Sequence, residues 1–182
     1  MKELSLNILD ITENSIKAKA TLVNINIIEK GDLLEITISD NGIGMAPDVL
    51  SSVANPFYTT RTTRSVGMGI PLFKFAAEQT GGYLDIKSKH ISDFSDRHGT
   101  SVKAVFNKNH IDFTPLGDVI SSITTLIQGH PYVDFIFCHT SEDFSVSLDT
   151  RDLRQILEDV PLNNFEVLLW IKENLAEQYK SV

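Results

Sequence analysis

Asp40-Asn41-Gly42-Ile43-Gly44-Met45 stands where an alternating apolar and polar run stops, and each residue type there has a mechanical use. A carboxylate at a strand end accepts a hydrogen bond from an exocyclic amine. Gly42 and Gly44 let the backbone turn and come close to a flat base. Asp-Asn-Gly is also common turn chemistry, so this string alone leaves a plain strand-to-turn junction open.

A second set lies near the amino terminus, where Asn7, Asp10, Asn14 and Lys17 recur at helical spacing and share one face. The amide oxygen of Asn14 is able to bind Mg²⁺, with a carboxylate one turn earlier at Asp10 and an ammonium one turn later at Lys17. That set suits a metal-bound triphosphate. A solvated helix face has the same pattern. The third set is Asn55-Pro56-Phe57-Tyr58-Thr59-Thr60-Arg61, then Ser65-Val66-Gly67-Met68-Gly69-Ile70-Pro71-Leu72, a glycine-bearing stretch leading into a helix. Freed N–H groups and the helix dipole favour phosphate there, with Arg61 or Arg64 adding charge. No Gly-Lys-Ser/Thr follows, so the glycines are not of the Walker type. Nor do they follow a strand of a βαβ unit, which disfavours a dinucleotide fold.

The elements that must position these residues are readable from periodicity. Leu4, Ile8, Ile11, Ser15 and Ala18 predict a helix from Glu3 to about Ala20. Leu22–Ile28 and Leu33–Ser39 alternate around Lys30-Gly31-Asp32, which predicts a hairpin. Residues 41–65 read as a long loop with at most one short helix. A helix from Gly69 to about Thr80 stops at Gly81-Gly82. Strands follow at Tyr83–Ser88 and Thr100–Phe106. After about Asn107 the pattern changes to a helix (Leu116–Gln128), two strands (Val133–Cys138, Phe144–Leu148) and two helices. The last helix, from Asn164 to about Lys180, carries Phe165, Leu168, Leu169, Ile171, Leu175 and Tyr179 on an apolar face that must dock on something.

With 182 residues and 42% apolar content the chain can bury a sizeable core, and its formal charge of -8 gives no global basic field for a nucleic-acid backbone. The start MKELSLNILDITEN is interrupted by charge, and no stretch approaches a membrane span, so a cytoplasmic protein is expected. Cys138 is the single cysteine and, between Ile136, Phe137 and the following residues, is expected to be a buried inert thiol. The five histidines form no ligand pair at helical spacing, which speaks against structural zinc.

In this order, the three sets resemble the GHKL ATPase superfamily, and most of all the ATP-binding domain of sensor histidine kinases. ENSIKAKA is similar to the N box, DNGIGM to the first glycine box, NPFYTTR to the F box, GMGIPL to the second glycine box, and Gly99-Thr100 to the terminal Gly-Thr pair. The resemblance covers residues 1–107. It implies an α+β sandwich, the Bergerat fold, with a mixed sheet covered by helices. Residues 108–182 would add a small α/β unit. PLGDVISSI and YVDFIFC in that tail resemble small ATP-binding proteins found beside iron-only hydrogenase genes.

Carried over by position, Asn14 would coordinate Mg²⁺, Lys17 would touch a phosphate, and Asp40 would read the adenine amine. Gly42, Gly44 and Met45 would shape the base pocket, and Thr100 would support Asp40 or its water. Thr60 and Arg61 fall in the implied ATP lid, with Gly67, Met68 and Gly69 contacting phosphate at its end. Ser65 stands where many kinases have a glycine. Asp10 stands where hydrolysing members have glutamate, and as a general base its reach is one methylene shorter. Glu13 points away on the helix and reads as structural.

The resemblance places no phosphoacceptor-histidine helix before this domain, so phosphoryl transfer is expected to reach a protein partner in trans. The expected activity is therefore an ATPase or a protein kinase with ATP and Mg²⁺. The alternative is a nucleotide-gated binding module for a redox enzyme or signalling partner. The apolar last helix would cover either the sheet or a second subunit in a homodimer.

Overall fold

A computed structural model describes residues 3–53, 69–94 and 96–180. Helix α1 (Leu4–Lys17) buries Leu4, Ile8, Ile11 and Ser15, the stripe its periodicity predicts. The side chain of its N-cap residue, Glu3, makes no capping hydrogen bond among the described residues. Instead the first free N–H groups donate into the tail of the chain, Leu4 N to Pro115 O at 2.9 Å and Ser5 N to Leu116 O at 2.8 Å.

Strands β1 (Leu22–Lys30) and β2 (Leu33–Asp40) form the expected antiparallel hairpin, with Gly31 in the left-handed region at the turn. The short helix α2 (Pro47–Ser52) starts on proline, and α3 (Gly69–Gln79) ends before Gly81. Strand β3 (Tyr83–Lys89) pairs with β4 (Gly99–Asn107), which in turn pairs with β2.

The tail contributes α4 (Val119–Gly129), β5 (Asp134–Thr140), β6 (Ser145–Asp149), α5 (Thr150–Leu157) and α6 (Phe165–Lys180). Its strands continue the same sheet: β5 lies parallel to β1 and β6 antiparallel to β5, in the order β3-β4-β2-β1-β5-β6. Helix α4 begins three residues later than its apolar pattern suggests. Gly117 takes a positive φ, and the Asp118 carboxylate caps the helix by accepting from Ser121 N at 2.9 Å.

One sheet face is dry. Val23, Ile25 and Ile27, Leu34, Ile36 and Ile38, and Phe135 and Phe137 alternate inward, and α1, α3, α4 and α6 form the helical layer over them. Phe73 of α3 meets Phe106 of β4 with ring centroids 5.6 Å apart. The opposite face carries Asn24, Asn26, Glu35, Thr37 and Lys103, with Lys103 Nζ 2.6 Å from Glu35 Oε2. Cys138 belongs to that face and is half-buried, not buried as expected, because its alternation in β5 turns it away from the helices. The architecture is an α+β sandwich with a mixed six-stranded sheet. Among the described residues no helix is long and apolar enough to cross a membrane.

Candidate functional site

Helix α1 packs against β2, and Ser15 in its buried stripe meets Asp40 at the strand's end. Ser15 Oγ donates to Asp40 Oδ2 at 2.6 Å. Oδ1 accepts from Gly42 N at 2.8 Å and from Thr100 N at 3.2 Å. Each carboxylate oxygen has two acceptor positions, so Oδ1 is filled and Oδ2 keeps one among the described residues. That remaining position suits an N–H donor. The contact from Thr100 to Asp40 is made by its backbone N–H.

The turn after Asp40 is clamped on both sides. Asn41 Oδ1 accepts from Thr21 N and Leu22 N, both at 2.9 Å, tying the turn to the start of β1. Ile43 N donates to Ala18 O at 2.8 Å, and Ile43 O accepts from Ile91 N at 2.8 Å. Met45 N donates to Ser88 Oγ at 2.7 Å, and Ser88 also bonds Thr100 Oγ1 at 2.8 Å. The two glycines are required by this packing. A Cβ on Gly42 would stand 2.6 Å from Ala18 O, and Gly44 sits at φ +72° against the Lys89 carbonyl.

Two of the residues in this frame have no signal in the sequence patterns. His98 Nδ1 lies 2.6 Å from Gly42 O, so the imidazole is the donor and holds the carbonyl of the first glycine. Ser15 was legible only as a small residue in the apolar stripe of α1.

Asp10, Asn14 and Lys17 are all solvent-exposed along one side of α1. Gly69, the first residue of α3, closes on Asp10 and Asn14: a Cβ there would lie 3.3 Å from Asp10 Cβ and 3.7 Å from Asn14 Nδ2. Although its surface is open, atoms crowd Asp10. Partial desolvation raises its carboxyl above the ordinary aspartate range, Glu13 adding to the rise and Lys17 opposing it.

Asn7 does not join this row. It is 2% exposed, and its Nδ2 has no hydrogen-bond partner among the described residues. Glu13 is structural as expected, with Oε1 2.7 Å from His130 Nε2 at the end of α4. The structure places Asp40, Gly42, Gly44, Met45 and Thr100 around the turn after β2, and Asp10, Asn14 and Gly69 where α1 meets α3, while Lys17 Nζ lies 4.0 Å from Glu13 Oε2. Thr60, Arg61, Gly67 and Met68 lie outside the described residues.

Comparison with known proteins gives the same reading. Residues 2–110, more than half of the 182, match the family described as histidine kinase-, DNA gyrase B-, and HSP90-like ATPase. A sensor-like histidine kinase of Rhizobium meliloti (strain 1021) is 34% identical over 44% of this chain and 17% of its own length. The DNA mismatch repair protein MutL of Lacticaseibacillus casei (strain BL23) is 27% identical over 83% of this chain and 28% of its own. The chain thus spans less than a third of the length of these curated relatives. Among solved structures, the MutL ATPase domain of Aquifex aeolicus, complexed with ADP, has a TM-score of 0.56 at 16% identity, covering 87% of this chain and 70% of that one. On the motifs, the fold and the match to residues 2–110, the chain belongs to the histidine kinase-, DNA gyrase B- and HSP90-like ATPase family and carries its ATP-binding domain.

Proposed function

We propose that this site binds ATP together with Mg²⁺ and hydrolyses it or passes its γ-phosphoryl group to a partner protein in trans. The observation that carries the reading is the acceptor position that Asp40 Oδ2 keeps among the described residues, the carboxylate being fixed by Ser15, Gly42 and Thr100, with Asn14 exposed on α1 next in sequence to the Ser15 that holds it. Adenine's exocyclic amine donates to Oδ2 of Asp40 in this proposal. The phosphates run along α1 toward Gly69, where the α3 N–H groups and Lys17 offset their charge.

The donor set fits a hard cation. Asn14 offers an amide oxygen that no described side chain engages, beside the Asp10 carboxylate, and Mg²⁺ bound there would neutralise triphosphate charge. Asp10 then orients a water or hydroxyl oxygen. That oxygen attacks the γ-phosphorus, its proton passes to the Asp10 carboxylate, and the bond from phosphorus to the bridging oxygen breaks to release ADP.

The short reach of Asp10 favours a second reading, a nucleotide-gated module that binds a partner with little or no turnover. Calorimetric titration with ATP, with and without Mg²⁺, together with phosphate release on the same sample, separates the two. Saturable binding and turnover support the enzyme, and binding alone supports the module. Absence of binding, or equal affinity in wild type and Asn14→Ala whether or not Mg²⁺ is present, overturns the site assignment.

A further inference from the structure

The tail of the chain leaves an apolar groove between α5 and α6, away from the nucleotide residues, with a volume of about 580 Å³. Leu153, Ile156, Leu157 and Val160 form one wall, and Val167 and Trp170 the other. Several large side chains here stay open to water: Ile156 is 78% exposed, Trp170 49% and Val160 45%, with Phe165 at 77% beside them. The inward side of α6 is already used, since Val167, Ile171 and Leu175 are buried under the helical layer. The exposed residues are therefore surplus to the core, and an apolar patch of this kind marks an interaction surface.

The rim carries one sign of charge. Glu166 lines the groove, Glu158 and Asp159 occupy the turn between its walls, Asp152 lies one helical turn before Ile156, and Glu173 follows Trp170 by one turn. The two arginines of α5 do not offset this, because each is already engaged. Arg151 forks onto Asp149, at 2.6 Å for the Nη2–Oδ2 pair, and Arg154 Nε bonds Asp134 Oδ1 at 2.7 Å. An acidic rim rejects a second copy of this chain, whose formal charge is -8, and rejects an anionic membrane surface.

We propose that the α5/α6 groove receives an amphipathic helix with a basic polar face, supplied by a different protein. The apolar stripe of that helix seats on Ile156, Val160 and Trp170, and its lysines or arginines face Glu158, Asp159, Glu166 and Glu173. This site does not depend on the nucleotide reading.

Trp170 is the single tryptophan, so its fluorescence reports the groove directly in the full chain. The probe is a synthetic amphipathic peptide of about 18 residues with leucines at helical spacing and lysines on its polar face, compared with the same peptide carrying glutamates. The lysine peptide is expected to shift Trp170 emission to the blue and saturate. Its affinity should fall with added salt, and the glutamate peptide should bind at least about tenfold more weakly. Ile156→Lys is expected to remove the response while leaving circular dichroism and ATP titration unchanged, since Ile156 is exposed. No shift with the lysine peptide, equal binding of both peptides, or a concentration-dependent dimer that blocks the peptide in sedimentation each overturns the proposal.

Discussion

Ser15 and Asp40 are joined by a 2.6 Å hydrogen bond between α1 and the end of β2, from the hydroxyl to Oδ2 of the carboxylate. The bond does two things at once: it fixes the helix against the sheet end and orients the carboxylate oxygen that keeps an acceptor position among the described residues. Ser15→Ala is therefore expected to raise the ATP dissociation constant by about fivefold, the equivalent of roughly 1 kcal/mol. Asp40→Asn should do far more, about 100-fold or greater, because an amide cannot accept at both oxygens from Gly42, Thr100 and Ser15. Titration calorimetry on the two variants checks the ranking, and equal losses would count against Ser15 as the lesser, orienting partner.

In its proposed role as base Asp10 must be ionised, and its carboxyl is raised by partial desolvation, with Glu13 adding to the effect and Lys17 opposing it. Turnover should therefore fall as pH drops through that raised value, above the ordinary aspartate value of about 3.9. Glu13→Gln removes a raising charge, so the acid limb of the pH profile is expected to move to lower pH. Asp10→Asn should lower the rate about 100-fold while leaving ATP affinity within about twofold. A turnover equal to wild type would remove Asp10 from the mechanism.

His98 holds the Gly42 carbonyl from the start of β4, at 2.6 Å. His98→Ala frees that carbonyl and loosens the turn proposed to shape the base pocket. ATP affinity is expected to fall by about fivefold, with GTP and ATP binding becoming more alike. Unchanged affinity and unchanged melting temperature would show that the turn is held by Asn41 and Ile43 alone.

The distribution of Asp40's partners explains what the sequence made legible. Asp10, Asn14 and Lys17 announce themselves because helical spacing gathers polar groups on one face, and Asp40 because glycines follow it at a strand end. Ser15 and His98 carry no such mark. Ser15 is buried in the apolar stripe, and His98 lies 56 residues from its partner in a polar connection with no periodicity. Asn7 fits the polar spacing yet is buried, since one helix face grades into the core toward its start. The hairpin of β1 and β2 was readable because its turn is local. The parallel pairing of β5 with β1 was not, because alternation names a strand without naming its neighbour.

That parallel pairing also bears on the expected division at residue 107. β5 covers the edge of β1 from Leu22 to Ile28, and α4 packs on α1. A chain ending at 107 loses both, along with the Pro115 and Leu116 carbonyls that cap α1. Such a truncation is expected to aggregate or melt at least about 10 °C lower, since a bared strand edge and helix face invite association. A monomeric fragment that keeps its melting temperature and binds ATP would show that residues 1–107 fold as an independent domain.

At the far end of the sheet, His139 is 3% exposed between Glu29 and Tyr179. Its Nε2 lies 3.0 Å from Glu29 Oε1 and must donate to that carboxylate, so Nδ1 accepts from the Tyr179 hydroxyl at 2.8 Å. Burial lowers the His139 pKa despite Glu29, keeping the ring neutral, and burial pushes the Tyr179 phenol up. For Glu29 burial opposes ionisation, but Lys108 at 2.8 Å and His139 outweigh it and leave the carboxyl below its ordinary range. The signs agree. A histidine depressed in the fold binds its proton more readily when unfolded, so stability drains as pH falls below about 6.5. The lowered Glu29 adds a further loss as pH falls through the acidic range below about 4.3. Tyr179→Phe leaves Nδ1 buried without its donor and is expected to cost about 1–3 kcal/mol at neutral pH. Urea melts between pH 8 and pH 5 check the linkage: His139→Leu should flatten the loss that begins near 6.5, and an unaltered pH slope would mean that the ring is not buried as a neutral acceptor.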